Sequence, residues 1–290
     1  MSIKPDNRIK LSDGHTVGYA ESGDLTGKPV MHFHGTPSSR FEVDNPDLDA
    51  IAERLNVRYI VPDRPGMGLS DWKPYTIASY PDIITEFADK LGLDRIAVTG
   101  LSGGGPFVAA CAWKIPQRLT TAIIVSGPAP FDLPSVKEAL SKEERQQYDM
   151  ADKMPWLFRL FLWKFARDAR KNPASISAMF ANAADADKAL MTQPGVKRAF
   201  EHMVIGAFEQ GTRAATYDLA LLARPWGFSL KEIEMPIHIW QGEADTFIPV
   251  KHAHILAEAI PDARTRFFPN EGHALIVTHF EELLNLATSC

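Results

Sequence analysis

The chain has 290 residues, 45% hydrophobic and 23% charged, with 31 Lys and Arg against 36 Asp and Glu for a net charge of −5. That balance belongs to an ordinary globular protein able to bury a sizeable core, and it supplies no basic surplus to grip nucleic acid or an anionic membrane. No apolar run reaches the roughly 18 residues of a membrane span, the N-terminal MSIKPDNRIK lacks the apolar centre of a signal peptide, and Cys111 and Cys290 are too few for a disulfide framework. A soluble, cytoplasmic protein with two free thiols is expected.

Arg8 to Leu11, the turn Ser12-Asp13-Gly14 and Thr16 to Tyr19 predict a β-hairpin, because both arms alternate around turn-forming residues. Short apolar runs then recur at 30–33, 57–61, 96–99, 122–125, 237–240 and 265–268. Between most of them lie segments of helical period, at 48–55, 82–91, 104–114 and 251–260. Strands that are apolar on both faces and alternate with helices predict a parallel sheet covered on both sides. From about Phe131 to Glu234 no convincing strand occurs, only helix-like stretches punctuated by proline. The interval is too long for a crossover, so residues 131–225 are expected to be an inserted helical cap, with residues 1–130 and 226–290 forming one α/β core.

Residues 98 to 106 read VTGLSGGGP, directly after an apolar run. A phosphate-binding P-loop would place Lys and Ser or Thr after its last glycine, and a dinucleotide fingerprint would have glycine where Ser102 stands. What fits is G-x-S-x-G over Gly100 to Gly104, a turn from strand to helix so sharp that its flanking positions must be small. A plain Gly/Ser turn is the competing reading. A serine nucleophile needs a base oriented by an acid, and for this motif they follow in the order Ser, Asp or Glu, His. Asp245 follows the strand at 237–240, with Glu243 as a competitor, and His273 follows the last strand. Donors for an oxyanion would be the amides of Gly103, after the nucleophile, and Thr36 in His34-Gly35-Thr36-Pro37. His32 and His34 share one strand face, but no Asp-His follows to complete a metal site, so no metal or organic cofactor is expected.

With these features aligned, the chain resembles the α/β-hydrolase family over essentially its whole length. The resemblance extends to DRPGMGLS at 63–70, which looks like that family's structural loop after the fourth strand. It implies a mostly parallel eight-stranded sheet flanked by helices, with its second strand antiparallel and a helical cap inserted after the sixth. It implies Ser102 as nucleophile, Asp245 as acid, His273 as base, and Thr36 and Gly103 as oxyanion donors. Dehalogenases and epoxide hydrolases of the family carry Asp at the nucleophile, where this chain has Ser102. In the segment 154–165, MPWLFRLFLWKF, the rings of Trp156, Phe158 and Phe161 either pack within the cap or line an acyl pocket, to which Leu101 and Phe247 would add. The expected activity is cleavage of an uncharged, apolar small-molecule ester. Carbon–carbon bond hydrolysis, perhydrolase, haloperoxidase or hydroxynitrile lyase chemistry, and a non-catalytic small-ligand receptor, remain alternatives. A homodimer is compatible with the sequence.

Overall fold

The computed structural model describes residues 3–140 and 142–289. Strands β1 (Lys4–Lys10) and β2 (Thr16–Gly23) form the predicted hairpin, with Arg8 opposite Gly18 and Lys10 opposite Thr16. β2 runs antiparallel to β4 (Val57–Pro62), and β4 is parallel to β3 (Lys28–Phe33). β5 (Ile96–Leu101), β6 (Leu119–Val125), β7 (Ile237–Gly242) and β8 (Ala263–Phe268) extend the parallel part. The strand order is β1-β2-β4-β3-β5-β6-β7-β8, an eight-stranded sheet whose second strand is antiparallel.

Helices α1 (Pro46–Arg54), α2 (Tyr80–Lys90) and α3 (Gly105–Lys114) follow β3, β4 and β5. Asn45 caps α1 by accepting the Asp47 amide, one of the donors that a helix start leaves unpaired. Between β6 and β7 the described residues form no strand, only the helices α4 (Pro134–Ala139), α5 (Lys142–Lys153), α6 (Pro155–Lys171), α7 (Asp185–Leu190), α8 (Pro194–Gly206) and α9 (Arg213–Leu222), with an eight-residue 3₁₀ segment at Pro173–Phe180 and a short one at Leu230–Glu232. After β7 come α10 (Lys251–Ala259), then α11 (Leu275–Thr278) and α12 (Phe280–Ala287).

Alternate residues of each central strand enter opposite layers, as the two-residue period of a strand requires. Met31, Phe33, Val98, Ile124 and Ile239 pack with α2, α3 and α10 through Phe87, Phe107 and Leu256. Val30, Ala97, Ile123 and Trp240 pack on the other face with α1 and α12 through Ala52 and Leu284. The helices between β6 and β7 share a further core, in which Phe158, Leu162, Ala166 and Ala169 of α6 meet Val204 and Phe208 and also Met67 from the loop after β4. Cys111 is a buried free thiol on α3, while Cys290 lies outside the described residues.

Candidate active site

β5 ends at Leu101, and the chain turns through one 3₁₀ turn into α3. At the corner Ser102 has φ +52°, a left-handed conformation that a non-glycine residue adopts only under strain. The glycines are spatial requirements: a Cβ on Gly100 would lie 2.7 Å from the Gly104 carbonyl oxygen, and one on Gly104 would lie 2.0 Å from the Phe33 carbonyl oxygen. No other residue fits there without moving backbone. Ser102 thus stands at the carboxyl edge of the sheet, where α3 begins and free amides with the helix dipole favour negative charge.

β6 ends in register with β5, Leu101 opposite Val125, so Ser126 is the neighbouring strand tip. Its hydroxyl donates to the His273 carbonyl at 3.1 Å and ties the loop after β8 to this edge. The loops after β7 and β8 are also joined by backbone: the amides of Glu243 and Ala244 donate to the Phe268 and Glu271 carbonyls. Within this frame His273 Nδ1 lies 2.8 Å from Asp245 Oδ2. The Asp245 side chain is wholly buried and fully occupied, for Oδ1 accepts the amides of Phe247 and Ile248 and Oδ2 also accepts Gln241 Nε2 at 3.0 Å. Glu243, the competing acid, is exposed. Burial disfavours a charged His273 ring, but the charge and hydrogen bond of Asp245, then the charges of Asp187 and Glu42, outweigh it and raise the ring's pKa above 6.5. Ser102 Oγ has no hydrogen-bond partner among the described residues.

On the other side of Ser102, a Cβ on Gly103 would lie 2.5 Å from Thr36 Oγ1 and 3.3 Å from the Thr36 amide nitrogen, so the two expected oxyanion donors are neighbours. The loop holding Thr36 is built on buried charge. Arg64 donates to the carbonyls of His34 and Gly35, to Thr36 Oγ1 at 2.8 Å and to Asp218 of α9 at 2.7 Å, and both members of the ion pair are wholly buried. Asp218 also accepts the hydroxyls of Tyr75 and Thr36. His34 is neutral: burial, then the nearby Arg64 charge, push it down to about 3. It donates from Nδ1 to the Gly35 carbonyl and accepts the Arg64 amide at Nε2. His32, the other histidine of the strand, bridges Thr99 and the buried Glu42 carboxylate, which in turn accepts the Gly35 amide. Both histidines are therefore committed to the scaffold, and no cluster with metal-binding composition occurs among the described residues.

The aromatic candidates separate. Phe247 stands beside His273, ring centroids 5.2 Å apart, and meets Phe180 from the helices between β6 and β7 at 5.3 Å. Leu101 is partly buried next to Ser102. Phe158, by contrast, is packed in the core formed by the helices between β6 and β7, and Trp156 and Phe161 are 70% and 56% exposed. Helix α6 buries the face of 158, 162, 166 and 169 and turns these other two rings outward. Sequence reasoning did not identify Gln241, Asp187, Asp218 or Phe180. Gln241 alone carried a signal, as a polar residue closing an apolar strand.

Residues 28–280 match the alpha/beta hydrolase fold family. Among individual relatives, haloalkane dehalogenase 2 of Mycobacterium tuberculosis is 34% identical over 112 residues, which is 37% of this chain and only 37% of that protein's length. Lipase 3 of a Moraxella species is 25% identical over 97% of this chain and 84% of its own. A solved hydrolase from Pseudomonas aeruginosa superimposes with a TM-score of 0.71, at 20% identity and 98% coverage of both chains, a likeness of fold alone.

Proposed function

The chain belongs to the α/β-hydrolase fold family, and from that premise we propose that it is a serine hydrolase that cleaves carboxylic esters of uncharged, apolar small molecules. Ser102 attacks the ester carbonyl while His273 Nε2 takes its proton. Asp245, bonded to Nδ1, fixes the tautomer that leaves Nε2 free to accept, and stabilises the imidazolium that forms. The amides of Thr36 and Gly103 receive the charge that develops on the carbonyl oxygen. The imidazolium returns its proton to the departing alcohol, and water, activated by the same ring, releases the acyl group. The observation that carries the reading is the strained Ser102 at a strand tip adjacent to the loops that hold the buried Asp245–His273 pair.

Residues 131–225 act in this account as a cap, with Phe180 and Phe247 as apolar walls near the base. A neutral substrate is favoured because the arginines near the site are spoken for: Arg64 by Asp218, and Arg40 by Asp63, Asp6 and Glu209. Dehalogenation, the activity named for one relative, is disfavoured by serine at the position where that chemistry uses a carboxylate. Initial rates on p-nitrophenyl esters from acetate to dodecanoate, with Ser102→Ala beside the parent protein, test the proposal. A chain-length optimum that vanishes in the variant is expected. No turnover of any ester by the parent protein would refute it and direct the search to carbon–carbon or cyanohydrin substrates.

A further inference from the structure

The loop that presents His273 is held by a residue outside the triad. Asp187 lies on α7, in the helical stretch between β6 and β7, and is wholly buried. Its Oδ2 accepts the backbone amide of His273 at 2.9 Å and its Oδ1 accepts that of Ala274 at 2.9 Å. No cationic side chain pairs with it among the described residues, and its hydrogen-bond donors are two consecutive amides of the base's own loop. The approach is close enough to require glycine on the near side, since a Cβ on Gly272 would stand 2.1 to 2.6 Å from the carboxyl atoms of Asp187. A buried carboxylate without a counter-charge is costly, and one satisfied by two peptide donors belongs where their direction matters.

We propose that Asp187 is a positioning residue for His273: it clamps the peptide that carries the base, so that the ring holds its register on Asp245 only while the α7 segment is docked. This rests on the Ser102–His273–Asp245 reading. The geometry gives the carboxylate two effects. It fixes the φ and ψ of the residue that bears the imidazole, and it adds a negative charge behind the ring. The charges facing that ring are Asp245 from the loop after β7, Asp187 from α7 and Glu42 from the 3₁₀ turn after β3, and all three favour the protonated form. Opening of α7 would release the base at the same moment that it uncovers the site, coupling the position of the inserted helices to catalysis.

Asp187→Asn keeps the shape but removes the charge and turns an amide donor toward a peptide donor. Gly272→Ala keeps the charge but displaces the carboxylate. Each is assayed for turnover of p-nitrophenyl butyrate per active site, with sites counted by a fluorophosphonate that labels Ser102, between pH 5.5 and 9. Both variants are expected to lose about 10- to 100-fold in kcat per labelled site with KM little changed, the loss produced by misplacing a reacting group by about an ångström. In Asp187→Asn the acid limb of kcat/KM is also expected to move to lower pH. Unchanged kcat per labelled site, with only fewer labelled sites, would make Asp187 a folding residue and overturn the proposal. Hydrogen exchange of the parent protein needs no variant: the His273 and Ala274 amides are expected to be protected, and exchange at the rate of an open loop would overturn the clamp. Failure of the parent protein to label at Ser102 would instead remove the triad reading, and this proposal with it.

Discussion

Replacing Asp218 by alanine tests how the loop that holds Thr36 is built. The substitution strips a wholly buried carboxylate of its bonds from Arg64, Tyr75 and Thr36 and leaves the Arg64 guanidinium, itself wholly buried, without a counter-charge. Removing one member of a buried pair costs about 3–5 kcal/mol, because the partner's charge remains out of water. Arg64 keeps the carbonyls of His34 and Gly35 and the face of Phe107 at 4.9 Å, which places the expected loss toward the lower end. At about 2 °C per kcal/mol for a chain of this size, Tm should fall by roughly 6–8 °C. Urea unfolding followed by circular dichroism gives the free energy directly. The double replacement Arg64→Met, Asp218→Leu removes both charges and should lose less than Asp218→Ala alone. A loss below about 1 kcal/mol for Asp218→Ala, or a double variant as unstable as the sum of the singles, would refute the reasoning. The same variant frees Thr36, so kcat should fall by up to about 10²- to 10³-fold, the value of one oxyanion donor.

Other expectations follow from the same geometry. Ser102→Ala should lose on the order of 10⁴-fold or more in kcat on an ester with an unchanged unfolding curve, measured by initial rates and thermal melts. His273 must be neutral to act as a base and its pKa is raised above 6.5, so kcat/KM should climb with pH through a midpoint above 6.5; a pH–rate profile with its midpoint below 6 would contradict the burial and charge argument. Burial pushes the Glu42 carboxyl up, but its hydrogen bond and attraction to His32 outweigh that and hold it at about 2. Its folded pKa lies below the ordinary 4.5, so its contribution to stability is fully present above pH 4.5 and is lost as pH falls toward 2. Glu42→Gln should therefore show a flatter decline of stability over that window in acid titrations. Gly104→Ala drives a Cβ into the Phe33 carbonyl and should lose about 1–3 kcal/mol or more together with activity, as read by urea unfolding and ester turnover.

How much of this was legible beforehand depended on the range of each interaction. The sheet was readable because apolar runs of strand length recur with helical segments between them, and Val30, Val57, Ile96 and Ile237 all fall within or at the start of the strands observed. The corner at Ser102 was readable because its glycines stand in one contiguous pentapeptide, Gly100 to Gly104, which is a local signature, although the contacts that demand them reach from Gly100 to Gly104 and from Gly104 to Phe33. Asp187 had no such signature. It lies two residues from Asp185, whose side chain is fully solvated, and nothing in the local pattern separates them. Only the approach of a loop 86 residues away makes one of them a clamp. Asp218 and Arg64, 154 residues apart, are hidden in the same way. Residues 154–165 misled for a different reason: a stretch apolar nearly all round suggests rings on several walls, yet α6 packs one face and leaves Trp156 and Phe161 in solvent. Hydrophobic content alone does not assign direction.

The most direct test of the central claim is mass spectrometry of the protein after reaction with an alkyl fluorophosphonate, which traps an activated serine as a stable phosphonyl ester. The account predicts a single adduct, mapped by peptide analysis to Ser102, absent from Ser102→Ala and formed far more slowly in His273→Ala. A protein that stays unmodified under conditions where a serine esterase reacts to completion, or an adduct on any other residue, would contradict it.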